Sequence, residues 1–223
     1  MKKAVIIYTA MGSLVNTMKS LLKEYFPDWD IVGIVEDSLM SDIIEKGQLT
    51  EKIKERLMLY FQAAANLKPE FILCSCSSIG EVAEYANSVL DTKVFRIDRF
   101  MIEKAVENYT RIGVLASVYS TMAPTCNLVK RTSERMGKKV SILGLIAEGA
   151  FQANMGGDSE THDRLILEAA QKMKNDVDVI ILAQGSMAKL EKTIIEHTGL
   201  QVISSPELCI KSLAKMYAKE SRA

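Results

Sequence analysis

Short apolar runs alternate along this chain with longer stretches whose apolar positions recur every three or four residues. Runs of the first kind lie at 3–9, 71–73, 94–97, 112–116, 140–146, 179–182 and 202–204, and 31–35 alternates apolar with small or polar residues. Such runs are too short for buried helices and read as strands, mostly covered on both faces. Helix-like periodicity occupies 12–26, 49–67, 78–90, about 99–108, about 121–136, 160–174, 187–197 and 208–218. Pro27 stops the first of these, and Pro69 follows the second, which carries Ile53, Leu57, Tyr60, Phe61 and Ala64 on one face. Strands alternating with helices predict parallel sheets joined by crossover helices, an α/β fold.

The pattern repeats. An offset of 108 residues, the step from position 76 to position 184, lays Lys3–Thr9 on Arg111–Ser117 and Phe71-Ile72-Leu73 on Val179-Ile180-Ile181. The same offset lays Val32 and Ile34 on Val140 and Ile142, Arg56–Leu59 on Arg164–Leu167, Ser78 on Ser186, Val94-Phe95 on Val202-Ile203, and Ile102 on Ile210. One α/β element can match another by accident, but a gapless series of six points to duplication. The expected architecture is two similar doubly wound parallel-sheet halves, related by a pseudo-two-fold axis, with a cleft between them. The first half takes residues 1–98 plus 207–223, the last helix packing back on it, and the second takes 99–206.

Charge narrows the partners. With 28 acidic and 28 basic residues the chain has no net charge, so neither nucleic acid nor an anionic membrane surface is expected. There is no signal peptide pattern and no apolar span of about 18 residues, so a cytosolic protein is the default expectation. The four cysteines (Cys74, Cys76, Cys126, Cys209) show neither disulfide nor zinc spacing. With two histidines, His162 and His197, both expected at the surface, no metal site is expected.

Candidate chemistry concentrates in Phe71-Ile72-Leu73-Cys74-Ser75-Cys76-Ser77-Ser78-Ile79-Gly80-Glu81. An apolar strand ends in small polar residues, and helix-patterned sequence follows at once. Ser77 or Ser78 fits a helix N-cap, with Glu81 completing a capping box. Cys76 then sits at the carboxyl end of a parallel strand, where open α/β sheets bind ligands, and ahead of a helix start that favours anions and thiolates. Cys74 shares its strand parity but lies deeper, as a core residue. The repeat pairs Cys76 with Gln184, and Thr9 with Ser117. Behind these stand Ala10-Met11-Gly12-Ser13 and Val118-Tyr119-Ser120-Thr121, small or hydroxylated where helices begin. Ser77, Ser78, Ser117, Ser120, Thr121, Gly185 and Ser186 are candidate contacts for a small carboxylate; as bland alternatives the hydroxyls cap helices. No dinucleotide or Walker-type glycine fingerprint is present. The irregular stretches 37–48 and 144–158, the second expected to carry a short helix and a flexible turn over 148–157, are candidate lids.

These motifs resemble those of the aspartate/glutamate/hydantoin racemase superfamily. Cys76-Ser77-Ser78 is similar to its Cys-Asn-Thr or Cys-x-Ser element, and Ala116-Ser117-Val118-Tyr119-Ser120-Thr121 to its Ala-Thr-x-Gly-Thr-Thr element. Leu182-Ala183-Gln184-Gly185-Ser186-Met187-Ala188 resembles the Leu-Gly-Cys-x-Gly-Met-Ala stretch of hydantoin-racemase-like members. The resemblance implies a homodimer and a cofactor-independent enzyme in which two cysteines flank the substrate's α-carbon. One thiolate removes the α-proton and the opposite thiol returns one to the other face. By resemblance Cys76 is the first of these, but Gln184 stands where the second belongs. A glutamine amide hydrogen-bonds and does not exchange protons near neutral pH. The expectation is therefore α-carbon proton transfer on a small carboxylate, amino-acid-racemase-like, with Cys76 as acid/base. Its alternatives are a single-cysteine decarboxylase, lyase or isomerase of a dicarboxylate, and a carboxylate-binding sensor without turnover.

Overall fold

The computed structural model describes residues 1–9 and 13–220. The loop residues Ala10, Met11 and Gly12 singled out above lie outside the described residues. The chain forms two compact units, one of residues 1–97 with 206–223 and the other of residues 98–205. Each is an α/β layer structure around a four-stranded parallel sheet.

In the first unit the strands are β1 (Lys3–Tyr8), β2 (Asp30–Val35), β3 (Phe71–Cys74) and β4 (Lys93–Arg96), in the order β2-β1-β3-β4. Central β3 is buried along its whole length and β1 from Ala4 onward, which is why both read as unbroken apolar runs. Val5, Ile7, Ile72, Cys74 and Val94 face α2 (Ser38–Lys46), α3 (Glu51–Asn66) and α4 (Gly80–Val89), whose Leu39, Ile43, Leu57, Phe61 and Ala83 close that core. Near the opposite ends of the strands Phe71 anchors an aromatic cluster. It meets Phe26, just beyond α1 (Ser13–Tyr25), and Tyr217 of α10 (Pro206–Glu220), with Trp29 and Phe95 beside it at centroid distances of 5.7 and 6.0 Å.

The second unit repeats this plan with α5 (Arg99–Asn108), β5 (Arg111–Ala116), α6 (Tyr119–Arg135), β6 (Ser141–Ile146), α7 (Ala150–Met155), α8 (Ser159–Met173), β7 (Val179–Leu182), α9 (Glu191–Thr198) and β8 (Gln201–Ile203). Its order, β6-β5-β7-β8, reproduces the first. The offset of 108 holds for β1 and β5, β3 and β7, and α3 and α8, but it fails at one edge strand. Gly33 pairs with Ile6, and Gly144 with Val114, so Ile34 corresponds to Leu145 rather than to Ile142. The cause is length: α6 has 17 residues against 13 in α1, and α7 with 6 against 9 in α2 restores the register.

Other expectations also change. Residues 38–46 form the regular helix α2, ended by Gly47 in the left-handed conformation, rather than an irregular lid. Within 144–158, by contrast, the end of β6, the short α7 and the turn at Gly156-Gly157 follow the expected strand, short helix and turn. His162 is buried, at 2% exposure, because it lies on the inward face of α8 with Ile166, Ala169, Ala170 and Met173, and Asp163 satisfies its Nδ1 at 2.6 Å; His197 is exposed as expected.

The repeat extends to helix caps. Thr50 Oγ1 accepts from Ile53 N–H at 3.4 Å to start α3, and Asp158 Oδ1 accepts from Thr161 N–H at 2.9 Å to start α8. Because the Thr50 bond is long, Thr50→Ala should cost only about 0.5–1 kcal/mol in urea unfolding. Asp158 is different in kind. The Thr161 N–H bond holds its carboxyl below the usual aspartate range, so its contribution is present above the unfolded-state value and lost as pH falls through the folded one. Asp158→Ala should therefore weaken the fold at neutral pH but flatten its loss of stability in acid, as paired urea titrations would read.

Candidate functional site

The first unit supplies a thiol. β3 ends at Cys74, and Ser75 laces the strand end to β1, its N–H and its hydroxyl both donating to the Ile7 carbonyl at 3.0 Å. Cys76 follows with extended backbone (φ −125°, ψ 120°), and Ser77–Ile79 make one 3-10 turn before α4 begins at Gly80. The helix caps fall beside the expected serines rather than on them. The cap positions are Cys76 and Ile79, and neither makes a side-chain cap bond. Ser77 and Ser78 lie inside the turn and are buried, as is Thr9 just beyond β1.

The four cysteines form no disulfide, and their settings differ. Cys74 and Cys209 are fully buried. Cys126 is half-buried with its Sγ 3.6 Å from Met122 Sδ, and burial pushes its thiol up. Cys76 is half-exposed at a strand end, its Sγ 3.8 Å from Met40 Sδ of α2. Among the described residues no group of three His, Cys, Asp or Glu side chains is placed to hold a metal ion.

Beneath the Cys76 turn runs β4, where Arg96 pairs with Cys74 in the ladder. Arg96 is 3% exposed, with its Nη1 3.3 Å from Glu84 Oε1. Its guanidinium occupies the space where Gly80 has no side chain, since a Cβ on Gly80 would lie 2.4 Å from Arg96 Cζ. Gly80→Ala should therefore expel a buried cation and cost about 2 kcal/mol, read as a lower urea midpoint at unchanged slope. Arg96 and Gly80 escaped notice in the sequence because nothing local pairs residues so far apart.

The second unit places an amide where the first has sulfur. Gln184 follows β7 with φ −122° and ψ 135°, close to the backbone of Cys76, and a 3-10 segment Gly185–Leu190 follows. Its Oε1 accepts from Ser117 N–H at 3.0 Å and its Nε2 donates to Ser117 Oγ at 2.8 Å. A backbone N–H can face only the carbonyl end of the amide, so this orientation is fixed. Ser117 Oγ thereby accepts from Gln184, and its own proton is left to donate elsewhere. Thr121 Oγ1 donates to the Val118 carbonyl at 2.9 Å, Ser120 is half-buried, and the Tyr119 hydroxyl donates to Glu148, a bond that raises the phenol's pKa. Gly185 and Ser186 are half-buried in the 3-10 segment.

That segment is tied down by Lys189, whose Nζ lies 2.8 Å from Asp163, the carboxylate that also holds His162. Burial pulls the Asp163 carboxyl up, but the hydrogen bonds from Lys189 and His162 outweigh it and hold the acid below its ordinary value.

Thr9, Cys76, Ser77 and Ser78 thus gather at the carboxyl end of the first sheet. Ser117, Ser120, Thr121, Gln184, Gly185 and Ser186 do so at the carboxyl end of the second. A sequence model of the Asp/Glu/Hydantoin racemase family matches residues 5–213. Solved structures with the same fold include the glutamate racemase isoform RacE1 of Bacillus anthracis, with 16% identity, a TM-score of 0.74, and coverage of 98% of this chain and 82% of that one. The allantoin racemase of Klebsiella pneumoniae is 13% identical, with a TM-score of 0.67 and coverage of 99% and 89%. Picrophilus torridus aspartate racemase is 14% identical, with a TM-score of 0.67 and coverage of 98% and 95%. Among curated proteins none matches the chain in sequence.

Proposed function

The chain belongs to the Asp/Glu/Hydantoin racemase family, and from that premise we propose that it moves a proton at the α-carbon of a small carboxylate, with Cys76 as the acid/base group and no cofactor. The observation that carries this reading is the setting of Cys76, a half-exposed thiol at the carboxyl end of β3, where helical N–H groups begin. As thiolate it takes the α-hydrogen as a proton, leaving the electron pair to delocalise into the neighbouring carboxylate as an enediolate. Hydrogen-bond donors on that oxygen pair stabilise the charge as it forms. Ser117 is assigned this work, because its acceptance from Gln184 leaves its O–H free to donate. Thr9, Ser77, Ser78, Ser120, Thr121, Gly185 and Ser186 are assigned to the surrounding carboxylate contacts.

Gln184 favours a second reading. With an amide in place of a second proton-transfer group, single-thiol chemistry is the natural outcome: decarboxylation, elimination or isomerisation of a dicarboxylate, with Cys76 protonating or deprotonating one face. A homodimer in the cytosol completes the proposal. Among the described residues no helix is long and apolar enough to cross a membrane.

The test is proton NMR in D2O with aspartate, glutamate and small dicarboxylates. Loss of the α-proton signal with inversion supports racemisation. Loss with retention, or loss of CO2, supports the one-thiol reading. A carboxylate that binds without exchange or conversion would leave only the sensor.

A further inference from the structure

Away from Cys76, the first unit holds a groove of about 270 Å³ between α1 and the edge strand β2. Tyr8 and Gly33 form its floor, Lys19 and Lys23 of α1 one rim, and Phe26 and Trp29 its apolar end. Gly33 leaves the Tyr8 ring uncovered, for a Cβ there would stand over it in ordinary contact at 3.4 Å. The second unit shows the contrast. Its corresponding glycine, Gly144, faces Met122, whose Sδ would lie 2.7 Å from an added Cβ, and Tyr8 is replaced by Ala116.

Two features of this groove lack their complement. Tyr8 is 2% exposed, and its hydroxyl, which borders the groove rather than being sealed from it, has no hydrogen-bond partner among the described residues. Burial pushes its pKa up to about 12, so the hydroxyl stays a neutral donor. Lys19 and Lys23 stand one helical turn apart, and neither has an acidic partner among the described residues. Like charges at that spacing repel, and a bound anion relieves them. A mostly apolar wall with a few convergent donors is the usual make-up of a small-molecule site. Its volume suits one aromatic ring with a short acid arm.

We propose that this groove binds a small aryl carboxylate, its ring against Phe26 and Trp29 and its carboxylate held by Lys19, Lys23 and the Tyr8 hydroxyl. The proposal is independent of the reaction assigned to Cys76. Trp29 is the chain's one tryptophan and serves as the reporter. Its fluorescence is titrated with 3-phenylpropionate, and with 3-phenylpropionamide as the uncharged control. The acid should give a saturable change, and the amide should bind about tenfold more weakly. The double variant Lys19→Met/Lys23→Met, whose changes lie on the helix surface, should lose about tenfold for the acid and nothing for the amide. Tyr8→Phe should weaken the acid several-fold while keeping the ring, and Cys76→Ala should leave the titration unchanged. Absence of a saturable change up to about 10 mM would overturn the site. So would equal binding of acid and amide, indifference to both lysines, or loss of the signal in Cys76→Ala.

Discussion

Replacing Cys76 with alanine should lower α-proton exchange by about three orders of magnitude, the span that a positioned acid/base group contributes. Cys76→Ser should do nearly as much, because a hydroxyl of similar size is far harder to ionise than a thiol. The structure allows this loss to be separated from damage to the fold. Cys76 is half-exposed and its sulfur touches Met40 at the edge of the core, so losing it should cost about 1 kcal/mol or less in urea unfolding. Cys74, two positions earlier at the last residue of β3, gives the opposite pattern. It is fully buried within the β-sheet core, so Cys74→Ala should cost about 1–2 kcal/mol of stability and leave the exchange rate unchanged. A Cys76→Ala protein that still exchanges at the parent rate would remove this thiol from the reaction.

The contrast between these two cysteines also shows how far the chain could be read without coordinates. Strands buried on both faces advertise themselves, and so β1, β3, β5 and β7 follow from apolar runs, as does the strand-end position of Cys76 and Gln184. Edge strands do not. β2 and β6 are partly exposed, with Gly33, Val35, Leu143 and Gly144 open to solvent, and it was there that the register slipped by three. Capping went wrong for a local reason: after Cys76 the chain tightens into a 3-10 turn, which takes Ser77 and Ser78 out of the cap positions. The overlooked α2 did leave a sign in Gly47, the residue that a helix end in the left-handed conformation prefers. His162 left one too, standing four residues before Ile166 on the buried face of α8, whereas the Lys189–Asp163 contact beside it spans 26 residues and has no local sign. The same limit applies to Gln184 and Ser117, which meet across 67 residues.

That last pairing shapes the second large effect, expected from Gln184→Cys. Gln184 engages both the N–H and the Oγ of Ser117, so its amide is anchored rather than mobile. Replacing it with cysteine removes those two hydrogen bonds and puts an ionisable sulfur at the position whose backbone matches that of Cys76. The freed Ser117 N–H is a donor of the kind that favours a thiolate. Inverting a stereocentre requires a base and an acid, and an amide can be neither, so a second thiol should raise racemisation by about 10²-fold. Interconversion of aspartate or glutamate enantiomers, followed by chiral chromatography, reads this directly. The double variant Cys76→Ala/Gln184→Cys controls for the mere presence of a sulfur, and it should stay inactive in racemisation and lose the exchange that depends on Cys76. If Gln184→Cys gains no racemisation and also loses the parent's exchange, the amide is itself required. Its hold on Ser117 is then what the one-thiol reaction depends on, and Ser117→Ala should reproduce that loss.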